Sequence, residues 1–123
     1  SRVLQVLKAG IRLKLKASTA DMHLQQSLSN IAWSLTTLHV LDTTILAQVA
    51  TLSTASISAF KPFELSTLLW AFAKIGVPDD ILHKVQHLFS VASAHIQQHI
   101  SEFSFRSLAT FAWAFATARQ RDV

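Results

Sequence analysis

Apolar residues recur along most of the chain at intervals of three and four, the spacing that places them on one face of an α-helix. Six such segments are separated by short polar stretches, and the chain has only two glycines and two prolines. No segment alternates between apolar and polar residues strongly enough to predict a strand. The pattern predicts an all-α fold with helices at about 3–17, 24–38, 43–58, 62–75, 80–100 and 105–118.

Three of these predicted helices contain the same phrase around a tryptophan. Trp33, Trp70 and Trp113 lie in LSNIAWSLTTL, LSTLLWAFAKIG and LATFAWAFATA, and they are the three tryptophans of the chain. Leucine stands five residues before each Trp, and a large apolar residue stands two before and two after it. Aligned copies at a period of roughly 20 to 50 residues indicate a repeat protein.

A second helix is predicted after each of the first two Trp helices. In DTTILAQVATL and DDILHKVQHLF the apolar residues align, and Asp42 and Asp79 stand where a helix N-cap belongs. Gly76 suits a helix end, and the extra residues after Phe89 predict a longer second helix in that unit. Tandem two-helix units predict an α-solenoid of about three units, either a segment of a longer solenoid or one completed by partners. The single segment divides at 1–22 (partial), 23–60, 61–103 and 104–123 (partial).

Each Trp lies away from the main apolar stripe of its helix. At about 100° per residue, the flanking Leu, Ile and Phe cluster on the opposite side, and the Trp side carries mostly hydrogen-bonding residues. Two interpretations stay open: Trp33, Trp70 and Trp113 pack between units, or they offer platforms on which bases stack. We favour packing between units, which makes the polar neighbours of each Trp the better candidates for ligand contact.

The balance of charge is basic. Eleven Lys and Arg against seven Asp and Glu give a net charge of +4 and a pI near 10, which suits nucleic acid, anionic lipid or an acidic protein. Only 15% of residues are charged, so we expect partners or more of the same fold to cover part of the surface. No apolar run approaches the roughly 20 residues of a membrane-spanning helix. The absence of Cys excludes a disulfide scaffold.

Nothing in the sequence predicts catalysis, a cofactor or a metal centre. Most acidic residues stand at predicted helix starts, where capping and the helix dipole explain them. There is no glycine-rich phosphate loop and no suggestive pairing of a nucleophile with a base. His83 with His87, and His95 with His99, could begin a zinc site, but no further ligand is suitably spaced. We therefore expect a protein that is not an enzyme and has no small-molecule substrate.

Positive residues concentrate near the two ends of the chain. Arg12, Lys14 and Lys16 alternate with leucines, so they cannot all share one helical face, and this stretch could be irregular or extended like an RNA-contacting tail. Arg119 and Arg121 lie near the other end. Such residues either contact the phosphates of a nucleic acid or form a charged face exposed to solvent, and both interpretations stay open.

Residues 60–76, FKPFELSTLLWAFAKIG, closely resemble the octotricopeptide repeat, which is also seen in relatives of the FAST-kinase and RAP-domain organelle proteins. That motif has an aromatic residue, a proline and a leucine before a Leu-Leu-Trp-Ala-x-Ala-Lys-Leu-Gly core. Residues 103–118, FSFRSLATFAWAFATA, are similar but lack the proline and the closing glycine. Residues 23–38 diverge most, with His23 in place of the aromatic and Ser34 and Thr36 in place of alanines.

The resemblance implies an α-solenoid that binds RNA in mitochondria or chloroplasts through its first helices. It implies base contacts from the polar residues beside each Trp, with phosphate contacts from Lys and Arg. We expect a structural rRNA-binding component of a mitochondrial ribosome, with neighbouring proteins of that assembly as partners and no membrane contact. Alternatives are a protein–protein scaffold without nucleic acid, or a chloroplast or mitochondrial factor for mRNA stability or translation. The candidate RNA-binding residues are Gln26, Ser29, Asn30, Thr37, Ser66, Thr67, Lys74, Arg106, Thr110, Thr117, Arg12, Lys14, Lys16, Lys61, Arg119 and Arg121.

Overall fold

Six α-helices make up the part of the chain that the structure describes. The computed structural model describes residues 1–17 and 23–121, except for the side chains of residues 17, 120 and 121. The helices are α1 (Arg2–Ala17), α2 (Leu24–Thr37), α3 (Thr43–Ala55), α4 (Pro62–Ile75), α5 (Asp79–Gln98) and α6 (Phe105–Arg121). Two 3₁₀ turns, Ile57–Ala59 and Ile100–Glu102, follow α3 and α5, and no strand occurs among the described residues. The prediction of an all-α fold is confirmed.

The helices pack in two rows. Helix α2 lies against α4 and α4 against α6, whereas α1 lies against α3 and α3 against α5. We call α2, α4 and α6 the first row, and α1, α3 and α5 the second row. Helices that are consecutive in sequence alternate between the rows, which is the order that stacked two-helix units produce. The α-solenoid itself stays a prediction.

The predicted apolar stripes form one hydrophobic core. Leu28 of α2, Leu65 and Leu68 of α4, Ile45 of α3 and Leu88 of α5 are each fully buried. They belong to a single cluster that contains residues of all six helices. Burial of a side chain of this size contributes about 1.5–3 kcal/mol, so the core holds the two rows together.

Local sequence explains several helix ends. Asp42 caps α3 as predicted: its Oδ1 accepts a hydrogen bond of 3.0 Å from the N–H of Ile45. At the start of α4, the N–H of Lys61 donates to Glu64 Oε1 at 2.9 Å. Gly76 ends α4 with φ 69°, a left-handed conformation that glycine adopts without steric cost.

The structure corrects three predicted boundaries. Helix α3 ends at Ala55, because the N–H and hydroxyl of Ser56 bond back to the preceding turn and the chain tightens into a 3₁₀ turn. Helix α5 ends at Gln98 before a similar turn, although its 20 residues against 13 in α3 confirm the predicted extension. Asp79 is the first residue of α5, and Pro78 occupies the N-cap position instead.

Helix α1 is continuous through residue 17, so the prediction of an irregular or extended stretch around Arg12, Lys14 and Lys16 is wrong. Ile11 and Leu15 recur at helical spacing and pack against the core, which holds this segment as a helix. The three cations do lie on different sides of it. Arg12 reaches toward α3, whereas Lys14 and Lys16 are exposed.

Candidate nucleic-acid interface

An open groove crosses the first row of helices. It holds about 590 Å³ and combines aromatic, hydroxyl and charged side chains. Its walls are formed by Trp33 of α2, by Pro62, Phe63, Ser66, Thr67 and Trp70 of α4, by Arg106, Ser107 and Thr110 of α6, and by Glu102 and Ser104 just before α6. We call this surface the aromatic groove.

Trp70 is the most enclosed of the three tryptophans. Its ring centroid lies 6.5 Å from that of Trp113, with an interplanar angle of 29°. The Nζ of Lys74 lies 5.7 Å from the centroid of the Trp70 ring, in a cation–π contact. Trp33 and Trp113 are still 47% and 43% exposed. Trp70 therefore joins α4 to α6, whereas Trp33 and Trp113 keep ring surface that a ligand can reach.

Two hydroxyls proposed for RNA contact, those of Ser29 and Ser66, are buried and bond to backbone oxygens. Ser29 is 3% exposed and donates a 2.7 Å hydrogen bond to the backbone oxygen of Glu64. Thr36, two turns later, donates to the oxygen of Ala71 at 3.1 Å. Ser66 is 7% exposed and donates to a carbonyl of its own helix. Ser29 thus joins α2 to α4, and burial withdraws its side chain from an RNA chain.

The other candidate residues divide by location. Thr67, Arg106 and Thr110 line the aromatic groove, and the Thr110 hydroxyl donates to the oxygen of Arg106 at 3.1 Å. Lys74 is exposed beside Trp70. The candidates on other exposed surfaces are Gln26, Asn30, Thr37, Lys14, Lys16, Lys61 and Arg119, and Thr117 is partly buried. The side chain of Arg121 lies outside the described residues.

Arg12 belongs to an ion cluster between α1 and α3. Asp42 Oδ2 lies 2.9 Å from Arg12 Nη2 and 3.1 Å from Lys8 Nζ. Burial alone would raise the pKa of Asp42, but hydrogen bonds from the Ile45 N–H, Arg12 and Lys8 outweigh it and hold this pKa below its usual 3.8. Because Asp42 neutralises much of its charge, Arg12 is a weaker candidate for phosphate contact than the exposed lysines of α1.

His95 of α5 and His99, which follows that helix, form a small cluster beside Glu102 of the aromatic groove. The rings of His95 and His99 lie 4.6 Å apart, and His99 Nδ1 lies 2.6 Å from Glu102 Oε2. Burial, together with His99, lowers the pKa of His95 below its ordinary 6.5, while Glu102 opposes this shift. Over residues 1–17 and 23–121, no group of three or more His, Asp or Glu could hold a metal ion. Within the same residues, no helix is long and apolar enough to cross a bilayer.

Five residues of the aromatic groove are absent from the predicted site: Pro62, Phe63, Glu102, Ser104 and Ser107. Phe63 is 77% exposed and lies seven residues before Trp70, so two helical turns place both on one face. Helical spacing could therefore have identified it. Glu102 lies in a 3₁₀ turn, where no periodic pattern marks the side of the protein that it faces.

No protein-family model, curated protein or solved structure matches the chain. The resemblance to the octotricopeptide repeat therefore stays a prediction carried by the sequence motif. The two rows of helices and the aromatic groove are the observations on which a function can be argued.

Proposed function

We propose that the chain is an RNA-binding segment of a helical-repeat protein, and that single-stranded RNA lies along the aromatic groove. The observation that carries this proposal is the groove itself, in which the exposed rings of Trp33 and Phe63 lie on one surface with Arg106. Flat aromatic rings beside positive charge are the combination by which proteins hold single strands. The net charge of +4 adds long-range attraction for a polyanion.

Stacking is assigned to the two tryptophans with accessible rings. Trp33 and Trp113 are each almost half exposed, and each is held in a first-row helix that fixes its position. A base that stacks on such a ring contributes about 1–3 kcal/mol. Trp70 would act indirectly, because its contact with Trp113 fixes the neighbouring ring.

Phosphate contact is assigned to Lys74 and Arg106. Both side chains are exposed, and both lie beside Trp70 or along the groove that it lines. Thr67 and Thr110 provide hydroxyls along the same groove. Each single-strand phosphate contact steepens the fall of log affinity with log salt concentration by about 0.7.

The charge assignment is tested by fluorescence anisotropy of a labelled single-stranded RNA over a range of salt concentrations. Lys74→Glu combined with Arg106→Glu should weaken binding and reduce the salt slope by about 1.4, the share of two phosphate contacts. The matched control is Arg2→Glu with Lys84→Glu, which removes the same charge from exposed positions of the second row. Equal losses in the two variants, or no RNA binding by the parent chain, would refute the proposal.

The stacking assignment is tested in the same titration. Trp33→Ala should weaken binding about 5- to 150-fold at every salt concentration, which corresponds to one stacked base. The salt slope should stay unchanged, because the indole carries no charge. Phe105→Ala is the control, since Phe105 is 90% exposed but lies outside the groove walls.

The cellular setting that we propose comes from the resemblance alone. We propose an organellar ribonucleoprotein, namely a mitochondrial ribosome in which the chain contacts rRNA. A chloroplast is the alternative location. In that setting the chain acts as a structural component that contacts RNA and neighbouring proteins, without catalysis.

A protein–protein scaffold of the same fold is the second candidate. It is favoured by exposed apolar side chains on α1, where Val3, Val6 and Leu13 are 70%, 65% and 70% exposed. RNA binding does not explain such a surface. The anisotropy titration separates the two functions, because a pure scaffold would bind no RNA at any salt concentration.

A further inference from the structure

A carboxylate lies on the wall of a groove that otherwise suits an RNA chain. Glu102 lines the aromatic groove together with Phe63 and Arg106, and its side chain is 65% exposed. A negative charge repels phosphates and weakens the general attraction of this surface for RNA. A contact with a nucleobase therefore explains a carboxylate in this position better than a contact with the RNA backbone does.

The turn that carries Glu102 is fixed to the core. Glu102 Oε2 lies 2.6 Å from His99 Nδ1, and the backbone N–H of Glu102 donates to the oxygen of His99 at 2.9 Å. The His99 ring lies 4.6 Å from that of His95, which meets the Phe103 ring edge to face at 6.4 Å. Phe103 in turn packs on the buried Phe111 of α6 at 5.2 Å. A group whose position is supported in this way can select a ligand by geometry.

The contact with His99 leaves the Glu102 carboxylate able to accept further hydrogen bonds. Among the described residues, none donates to its Oε1. An ionised carboxylate only accepts, and each of its two oxygens has two acceptor positions. Glu102 can therefore accept two parallel N–H groups, one on each oxygen. Arg106 forms no ion pair with a described residue, so its charge stays available to a phosphate.

The four RNA bases differ in how they meet such an acceptor. Proteins read the unstacked bases of single strands largely on their Watson–Crick edges. On that edge guanine presents two adjacent donors, N1–H and the N2 amine. Uracil presents one N–H between two carbonyl oxygens, and adenine and cytosine present an amine beside a ring nitrogen that accepts. A carboxylate thus pairs with two guanine donors, whereas every other base brings an acceptor against it.

The aromatic groove provides a platform that would hold a base beside this acceptor. The Phe63 and Trp33 side chains are 77% and 47% exposed, and both line the groove with Glu102. The hydrogen-bonding groups of a base lie in its plane. A base stacked on either ring therefore directs its edge toward the groove walls, where Glu102 lies.

We propose that Glu102 makes the aromatic groove select guanine in single-stranded RNA, its two carboxylate oxygens accepting from N1–H and from the N2 amine. This inference rests on the proposed function, because it names the base that the RNA-binding groove prefers. Arg106 and Glu102 then have separate tasks in the groove: the guanidinium contacts phosphate, and the carboxylate reads the base.

Fluorescence anisotropy with labelled oligouridines of about ten nucleotides, which differ only at one central base, tests the preference. The chain should bind the oligonucleotide with a central guanosine at least about fivefold more tightly than those with adenosine or uridine, the lower limit for a bidentate base contact. Adenosine controls for stacking, since it is also a purine. Inosine keeps N1–H but lacks the N2 amine, so it should bind with intermediate affinity.

The outcomes separate this inference from the proposed function. Equal affinities for the guanosine and adenosine oligonucleotides would overturn the inference and leave RNA binding by the groove in place. Inosine that binds as tightly as guanosine would overturn it too, because the second donor would then contribute nothing. Failure to bind any of the four RNAs would overturn the proposed function and the inference together.

Glu102→Gln tests the residue itself. The amide keeps one accepting oxygen but places an NH₂ donor against the second guanine donor, so the preference for guanosine over adenosine should be lost. Affinity for the all-uridine oligonucleotide should rise, because a negative charge leaves the groove. Asp80→Asn removes the same charge at an exposed position of α5 and should keep the preference. A Glu102→Gln variant that keeps the preference, or that weakens binding of all four RNAs equally, would overturn the inference.

Discussion

Asp42→Asn should destabilise the protein by removing the charge that joins α1 to α3. The Asp42 and Lys8 side chains are 7% and 16% exposed, and a charge-assisted hydrogen bond in such a setting contributes about 1.5–3 kcal/mol. Arg12 is 36% exposed, so solvent screens its contact, which contributes about 0.2–1 kcal/mol. We expect a loss of about 2–3 kcal/mol, a sizeable part of the 5–15 kcal/mol that stabilises an ordinary domain.

The cap of α3 can be separated from the charge. Asparagine keeps an oxygen that accepts from the Ile45 N–H, whereas alanine does not, so Asp42→Ala should cost about 1 kcal/mol more than Asp42→Asn. The matched control is Asp79→Asn. Asp79 stands at the aligned position of α5 but is exposed and makes no ion pair with a described residue.

Urea denaturation followed by far-UV circular dichroism measures these differences. A free energy of unfolding for Asp42→Asn within about 0.5 kcal/mol of that for Asp79→Asn would refute the reasoning, because that is the scatter of ordinary surface substitutions. The pH dependence is a second check. Since the pKa of Asp42 is lowered in the folded protein, its stabilisation is complete above pH 3.8 and is lost as the pH falls through the folded value. Asp42→Asn should therefore reduce the loss of stability at acid pH.

Two further predictions concern other buried contacts. Thr36→Val removes the hydroxyl that bonds to the oxygen of Ala71 and should lower the free energy of unfolding by about 1 kcal/mol, whereas Thr37→Val at the next, exposed position should change it little; equal effects would contradict an interhelix role for this hydroxyl. His95 has a pKa below 6.5 in the folded protein, so its neutral form is favoured there and stability should fall as the pH drops below 6.5. His95→Gln should reduce that fall, and an unchanged pH profile would contradict it.

Much of the fold could be predicted from the sequence because its signals are local. The spacing of apolar residues places all six helices, and Asp42 and Gly76 act at the predicted ends. The prediction fails where a contact distant in sequence decides the outcome. Arg12 lies in a regular helix, and its guanidinium donates a hydrogen bond to Asp42, which is thirty residues away in the sequence. No local sequence pattern indicates that pairing.

The candidate site could be predicted only in part, for a related reason. A helical wheel shows which residues share a side with Trp, but not which side the neighbouring helix covers. Ser29 and Asn30 look equivalent as polar neighbours of Trp33, yet Ser29 is buried against α4 and Asn30 is exposed. Glu102 reaches the aromatic groove from a 3₁₀ turn, where helical spacing gives no indication.

The exposure of the three tryptophans does not have one cause. Trp113 lies on α6, which contacts α4 and no other described helix of the first row, so part of its exposure comes from the lack of a second neighbour there. Trp33 lines the aromatic groove together with Trp70 of the neighbouring helix α4 and is still 47% exposed, so its exposure lies at a junction between two packed helices. The stack of Trp70 with Trp113 does not extend to Trp33 among the described contacts, and the aromatic groove opens between Trp33 and Trp70. Trp33 stays exposed although the neighbouring helix α4 is in place, so a bound ligand explains its exposure better than a missing neighbour does. Trp33 is therefore the strongest support for base stacking.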